Sequence, residues 1–148
     1  MAMIRTMLWS AAGVLGALAL GAATAAFAVE PTYDADLARS VGADERGMKS
    51  YVLVVLKAGP NRVGPGPERE EMFKGHFANI ERLANEGKLV LAGPFDGVDG
   101  WRGLFVLAVA DVEEARRHGG TDPVVMRGEM IAEYHKYYGS AALMLVND

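Results

Sequence analysis

The segment from Glu68 to Pro94 constrains the fold most, because a helix-forming pattern and a strand-forming pattern follow each other with one glycine between them. Acidic residues crowd the start of the first pattern, where they suit the positive end of a helix dipole, and Gly87 is typical of a helix end. Residues 89–92 are apolar, and Gly93-Pro94 ends that strand. The spacing predicts an amphipathic helix over residues 68–86, with an apolar stripe made of Phe73, His76, Phe77, Ile80, Leu83 and Ala84.

The rest of the chain supplies the other elements of one domain. A continuous apolar run predicts a buried strand over residues 49–56, and a glycine- and proline-rich stretch predicts a loop over residues 58–67. We expect a strand over residues 101–109, a second helix over 112–118 and a last strand over 130–135. This order predicts an α+β, ferredoxin-like βαββαβ fold, with a four-stranded antiparallel sheet and both helices on one face.

The second face of such a sheet needs a cover. Apolar side chains at alternating positions of the predicted strands are expected to lie on it, and two sheets packed face to face would bury them. The pattern therefore predicts a homodimer, with an interface that includes Tyr51, Leu53, Val55, Trp101 and Phe105.

The first 28 residues have the composition of a secretory signal peptide. Arg5 is their only charge, an apolar run follows over residues 7–20, and the segment ends in Ala26-Phe27-Ala28. We expect cleavage after Ala28 and a periplasmic or secreted protein that has no membrane contact afterwards. The alternative is an uncleaved anchor, although a span needs about 20 apolar residues.

Three segments then make up the expected mature chain. Residues 29–47 form a polar arm, which is either disordered or contains a short helix capped by Asp34. Residues 48–138 form the ferredoxin-like domain, and residues 139–148 form a tail.

Composition excludes several classes of function. Removing Arg5 with the leader leaves 14 basic against 19 acidic residues, and this acidic balance argues against a nucleic-acid partner. The absence of cysteine removes thiolate chemistry and cysteine-based metal sites. The three histidines lack metal-ligand spacing, and the 58–67 loop does not match a P-loop, so we expect neither a metal nor a cofactor.

His76 is the best functional candidate, because it lies in the middle of an apolar stripe. A buried imidazole needs hydrogen-bond partners, and a core histidine with satisfied bonds is the simpler interpretation. Asp122 follows the second helix, and the topology can bring it near the first helix. A carboxylate there would fix the tautomer of His76 and make it a general acid or base. The alternative is that Asp122-Pro123 is only a turn.

These motifs together resemble the YCII-related family. The resemblance spans residues 48–138 and rests on residues 73–94, Gly103 to Val109, Glu114-Ala115, Thr121-Asp122-Pro123 and Gly128. It implies a dimeric α/β-barrel built from ferredoxin-like halves and a His–Asp dyad, which falls here on His76 and Asp122. Some members of the family and its structural relatives act on small ring compounds by elimination or isomerisation.

Two functions follow as hypotheses. The first is an exported lyase or isomerase, in which His76 moves a proton on a small, ring-like substrate and Asp122 orients it. The second is a non-catalytic, small-ligand-binding or structural homodimer. We assign the substrate-binding wall to Arg62, Gly93, Pro94, Trp101, Tyr134 and His135, with the 58–67 loop as either a lid or a plain connection.

Overall fold

The computed structural model describes residues 33–147. The expected signal peptide and the start of the polar arm lie outside the described residues. In chain order the elements are α1 (Ala35–Ser40), β1 (Met48–Ala58), α2 (Pro67–Asn85), β2 (Leu89–Pro94), β3 (Trp101–Leu107), α3 (Val112–Gly119), α4 (Pro123–Met126), β4 (Met130–Ser140) and a 3₁₀ helix, η1 (Ala141–Asn147).

The four strands form one antiparallel sheet in the order β2-β3-β1-β4. This order places the first and third strands in the centre, as the ferredoxin-like topology requires. The predicted α+β, ferredoxin-like fold is therefore confirmed. The predicted hairpin between β2 and β3 also forms, with Ala92 opposite Phe105.

The last strand is longer than predicted. Residues 136–140, which were assigned to the end of the domain and the tail, continue β4 and pair with residues 48–52 of β1. That prediction was wrong because tyrosines and a glycine in this stretch obscure its alternation, whereas pairing with the long central strand fixes its conformation. The arm contains the short helix α1, whose N-terminus Asp34 caps by accepting hydrogen bonds from the Asp36 and Leu37 amides.

The main core lies between the helices and one face of the sheet. Its buried residues come from every strand and from α2, α3 and α4: Val52, Val54, Leu56, Met72, Leu83, Leu89, Phe105, Leu107, Val109, Ala115, Val124 and Met130. Phe105 was expected on the opposite face. It pairs with Val54 and therefore lies on the helix side, because paired residues of adjacent strands share a face.

The opposite face of the sheet is partly covered by the end of the chain. Tyr51, Val90 and Val106 are buried there, and Leu143 and Met144 of η1 pack against them. The same face also leaves apolar side chains in solvent, with Ile131 at 49% exposure and Tyr137 at 40%. None of the helices between residues 33 and 147 combines the length and apolarity that crossing a membrane requires.

Helix α2 begins with Pro67, whose missing amide hydrogen costs nothing in a first turn. Its buried residues are Met72, His76, Asn79 and Leu83, at spacings of four, three and four. The buried stripe therefore includes a polar pair, His76 and Asn79. Phe77, which was predicted to be in the stripe, is 62% exposed.

Candidate active site

His76 lies on the buried side of α2 and is held by its own ring contacts. Its imidazole stacks on Phe105 with ring centroids 5.9 Å apart and planes 23° apart. Phe73 meets it edge-on at 5.9 Å, and Phe77 lies 5.5 Å away on the next turn. These three aromatic contacts restrict the orientation of the imidazole.

Asp122 is the hydrogen-bond partner of this imidazole. His76 Nδ1 lies 2.9 Å from Asp122 Oδ1 and 2.8 Å from Oδ2, although 46 positions separate the two residues. Asp122 is fully buried, while His76 keeps 7% of its surface. Because a carboxylate accepts and does not donate, Nδ1 carries the hydrogen.

Two further donors hold the Asp122 carboxylate. The Val124 amide donates to Oδ1 at 3.1 Å, so Asp122 is also the N-cap of α4. Asn79 Nδ2 donates to Oδ2 at 3.2 Å. The side-chain oxygen Oδ1 of Asn79 in turn accepts a hydrogen bond from the Arg82 guanidinium at 2.8 Å. One carboxylate therefore both caps α4 and contacts the His76 imidazole.

The second imidazole nitrogen is open to a cavity. Within residues 33–146, Nε2 of His76 has no hydrogen-bond partner, and no buried side-chain nitrogen or oxygen lacks one. Nε2 must therefore be accessible. The cavity beside it has a volume of about 440 Å³ and lies between α2 and the β2–β3 edge of the sheet, lined by Leu56, Phe73, His76, Phe77, Ile80, Ala92, Gly93, Pro94, Arg102, Gly103, Phe105 and Met130.

Of the predicted substrate-binding residues, Gly93 and Pro94 line this cavity. Trp101 does not line it. The Trp101 ring centroid lies 5.0 Å from that of Phe95 and 5.8 Å from the ammonium nitrogen of Lys57. His135 pairs with Leu53, and its exposed side chain is 3.8 Å from Glu133.

Tyr134 is on the helix side of the sheet, yet it too lies outside the cavity. The Arg116 guanidinium is 4.8 Å from its ring centroid, and its hydroxyl packs against Gly119 of α3. Burial raises the pKa of the Tyr134 phenol; the Arg116 guanidinium lowers it by less, and the negative charge of Asp122 adds a smaller rise. Trp101, Tyr134 and His135, which were expected to shape the cavity, are therefore not among its lining residues in this chain. Strand register turns Trp101 and His135 to the other face, whereas Tyr134 lies on β4, at the edge of the sheet opposite β2.

Arg62 belongs to a different cluster, which anchors the 58–67 loop. The buried Glu129 carboxylate accepts from the Val63 amide at 2.6 Å and from Arg69 at 2.8 Å, and Arg62 lies 3.7 Å away. Burial alone would raise the pKa of Glu129, but the hydrogen bonds and the two guanidinium charges outweigh it and lower that pKa. Arg62 therefore anchors a loop and does not reach the cavity beside His76.

Sequence reasoning missed three residues of the site. Phe105 was placed on the wrong face, Asn79 was not considered, and Arg102 was not singled out. The helical spacing of Asn79 from His76 offered a signal, because residues three apart share a face. In residues 33–147, no group of three or more histidine, aspartate or glutamate side chains is arranged to hold a metal ion.

The sheet order and the buried His76–Asp122 pair define a ferredoxin-like α+β domain with an imidazole at an apolar cavity. A model of the YCII-related domain matches residues 50–135, more than half of the chain, so the protein belongs to the YCII-related domain family. The family resemblance seen in the sequence is thereby confirmed.

Two known proteins show the range of this similarity. The uncharacterized protein YjpA of Bacillus subtilis (strain 168) is 36% identical over 59 residues, which cover 40% of this chain and 67% of that protein. The 5-chloro-2-hydroxyhydroquinone dehydrochlorinase TftG of Burkholderia phenoliruptrix AC1100, solved with 2,5-dihydroxybenzoquinone, aligns with a TM-score of 0.46 and 19% identity, covering 59% of this chain and 92% of that one.

Proposed function

We propose that the protein is a lyase or isomerase that moves a proton on a small molecule bound beside His76. The observation that carries this proposal is the pairing of Nδ1 with Asp122, at 2.8 and 2.9 Å, while Nε2 remains open to the cavity. A carboxylate that holds one nitrogen directs the lone pair of the neutral imidazole to the other. Nε2 is therefore the atom that would accept a proton from the substrate.

The chemistry that suits this geometry begins at an acidic C–H bond. Nε2 would remove a proton from carbon next to an electron-withdrawing group, and Asp122 would stabilise the imidazolium that forms. Returning that proton to another atom completes an isomerisation, whereas departure of a leaving group completes an elimination. A positioned general base of this kind contributes about 10²–10⁴ in rate.

A solvent-exchange experiment tests the proposal without a known substrate. Small cyclic ketones, lactones and phenols are incubated with the protein in D₂O, and deuterium incorporation is followed by NMR. We expect exchange in at least one compound, and its loss in His76→Ala with the circular dichroism spectrum unchanged. His118→Ala is the matched control, because its imidazole lies on α3, outside the cavity. Exchange that survives in His76→Ala would refute the proposal.

One observation favours the second candidate, a non-catalytic binding protein. Apart from His76, the residues that line the cavity include no carboxylate, hydroxyl or phenol that could serve as a second acid or base. A reaction would therefore have to return its proton through the same nitrogen or through water. Ligand binding with no exchange in any compound of the panel would support this candidate.

We also propose a homodimer formed through the sheet face opposite the helices. The exposed Ile131, Tyr137 and Leu91 on this sheet support it, because apolar side chains of this size favour burial. Light scattering should give twice the chain mass for the wild type and less for Ile131→Glu. A monomeric wild type at micromolar concentration would contradict the dimer.

Export is a separate proposal, supported by the leader composition of residues 1–28. N-terminal sequencing of protein recovered from a periplasmic fraction should begin at Val29. Recovery of the chain with an intact Met1 terminus in the membrane fraction would instead indicate an anchor.

A further inference from the structure

Arg102 is the residue that gives the cavity its charge. Among the lining residues in the described part of the chain, it is the only lysine, arginine, aspartate or glutamate. It is half-buried and lies on β3, on the wall that faces α2. The other lining residues besides His76 are apolar or glycine, so a permanent positive charge is set into an otherwise apolar wall.

A β-bulge explains how Arg102 comes to line the cavity. Leu56 pairs with Gly103, and the next residue of β1, Lys57, pairs with Trp101, so Arg102 has no partner residue in β1. An extra residue of this kind redirects the side chains beside it. Trp101 pairs with Lys57, whose ammonium group lies over its ring, while Arg102 lines the cavity. The Arg102 backbone carbonyl accepts a hydrogen bond from the Phe95 amide at 3.1 Å, which holds the bulge in place.

The Arg102 guanidinium is available to a ligand. It makes no hydrogen bond or ion pair with any residue in the described part of the chain. By contrast, Lys57, Arg69 and Lys88 each hold a carboxylate, at 2.8, 2.8 and 2.9 Å. A half-buried arginine without a carboxylate retains its full set of donors for an incoming anion.

We infer that Arg102 is an anion-binding residue and that the cavity takes a small organic monoanion, with an apolar, ring-sized body and one carboxylate or phenolate group. This inference rests on the proposed function, which makes the cavity the ligand site. The aromatic walls formed by Phe73, Phe77 and Phe105 suit a flat body, and a volume of about 440 Å³ suits a single small molecule. Between residues 33 and 147, no carboxylate or amide side chain lines the cavity to hold a polyol or a cation.

Three ring compounds of similar size separate charge from shape: benzoate, benzamide and benzylamine. Their affinities are measured by calorimetry or NMR titration on the full chain. We expect benzoate to bind at least about ten-fold more tightly than benzamide, because a charge-assisted hydrogen bond is stronger than a neutral one. Benzylamine should bind weakest. Arg102→Gln should bring benzoate close to benzamide, whereas Arg102→Lys should keep most of the preference.

Arg117→Gln is the matched control. Arg117 is exposed on α3 and outside the cavity, so this variant removes the same charge from the molecule without touching the wall. It should retain the preference for benzoate. Equal binding of benzoate and benzamide by the wild type, absence of benzoate binding at millimolar concentration, or an unchanged preference in Arg102→Gln would each overturn the inference.

His76→Gln separates this inference from the proposed function. If the imidazole supplied the positive charge, His76→Gln would lose the benzoate preference, and the assignment to Arg102 would be overturned. If the preference persists in His76→Gln while solvent exchange is absent from the wild type, the catalytic proposal fails and the anion site stands. If solvent exchange depends on His76 but Arg102→Gln does not change the preference for benzoate, the catalytic proposal stands and the anion site fails.

Discussion

Replacing Asp122 tests how much the buried network contributes to stability. In Asp122→Ala, the Val124 amide and the Asn79 side-chain amide both lose their acceptor, at positions where Val124 is fully buried and Asn79 is 8% exposed. Each buried donor without a partner costs about 1–3 kcal/mol. His76 can avoid this cost by moving its hydrogen to Nε2. We therefore expect the free energy of unfolding to fall by about 3–4 kcal/mol.

Asp122→Asn should lower the free energy of unfolding by less than Asp122→Ala does, because asparagine keeps one of the two side-chain oxygens. Oδ1 accepts from Val124 and lies 2.9 Å from His76 Nδ1, so an asparagine oxygen in that place keeps both contacts. The new amide takes the place of Oδ2, where it faces Asn79 Nδ2, which donated to that oxygen at 3.2 Å, and His76 Nδ1, 2.8 Å away. Two donor–donor contacts arise, and we expect a loss of about 2–3 kcal/mol, still below that of Asp122→Ala.

Equilibrium unfolding in urea measures both losses, provided that the dependence on denaturant is unchanged between variants. Asp111→Ala is the control, because Asp111 is also an N-cap aspartate but is exposed and accepts only from the Glu114 amide, at 2.8 Å. It should cost about 1 kcal/mol. If Asp122→Ala costs no more than Asp111→Ala, the buried network is not what stabilises this region.

The nitrogen NMR spectrum of His76 provides a second readout of the same variants. In the wild type the neutral imidazole should be the Nδ1–H tautomer, because Asp122 can only accept from it. Asp122→Ala should shift the population towards Nε2–H. An identical tautomer in both proteins would refute the view that Asp122 directs the Nε2 lone pair into the cavity.

Three further outcomes are expected. Glu129→Gln should lower the free energy of unfolding by about 1–3 kcal/mol, because it weakens the bonds to Arg69 and Val63. Since the folded pKa of Glu129 is lowered, its stabilisation is present above pH 4.5 and lost as pH falls through the folded pKa, so the variant should show a weaker acid dependence in urea titrations. Gly75→Ala should destabilise by about 1–3 kcal/mol, because the new methyl would lie 2.8 Å from the Pro123 ring, and a gain in stability would refute that contact. Asn79→Ala should also destabilise, by about 1–2 kcal/mol, because Arg82 and Asp122 each lose one hydrogen bond, and it should leave His76 in the same tautomer.

The order of elements and half of the candidate site could be predicted from the sequence. The helix around His76 is defined by contacts between neighbours in the chain, namely apolar spacing, acidic first-turn residues and the glycine after its end. The association of His76 with Asp122 came from the family resemblance, and the topology then places the two side chains in contact. Their catalytic role remains a proposal.

What the sequence alone determined is therefore the βαββαβ order, the buried position of His76 and the acidic, cysteine-free character that excludes several chemistries. Only the tertiary structure decided which side chains share the cavity with His76. Strand register placed Phe105 against the imidazole and His135 away from it, and a bulge at Arg102 brought that guanidinium to the wall of the cavity. A shift of one residue reverses the face of a strand side chain, and that shift is set by pairing between segments far apart in the chain.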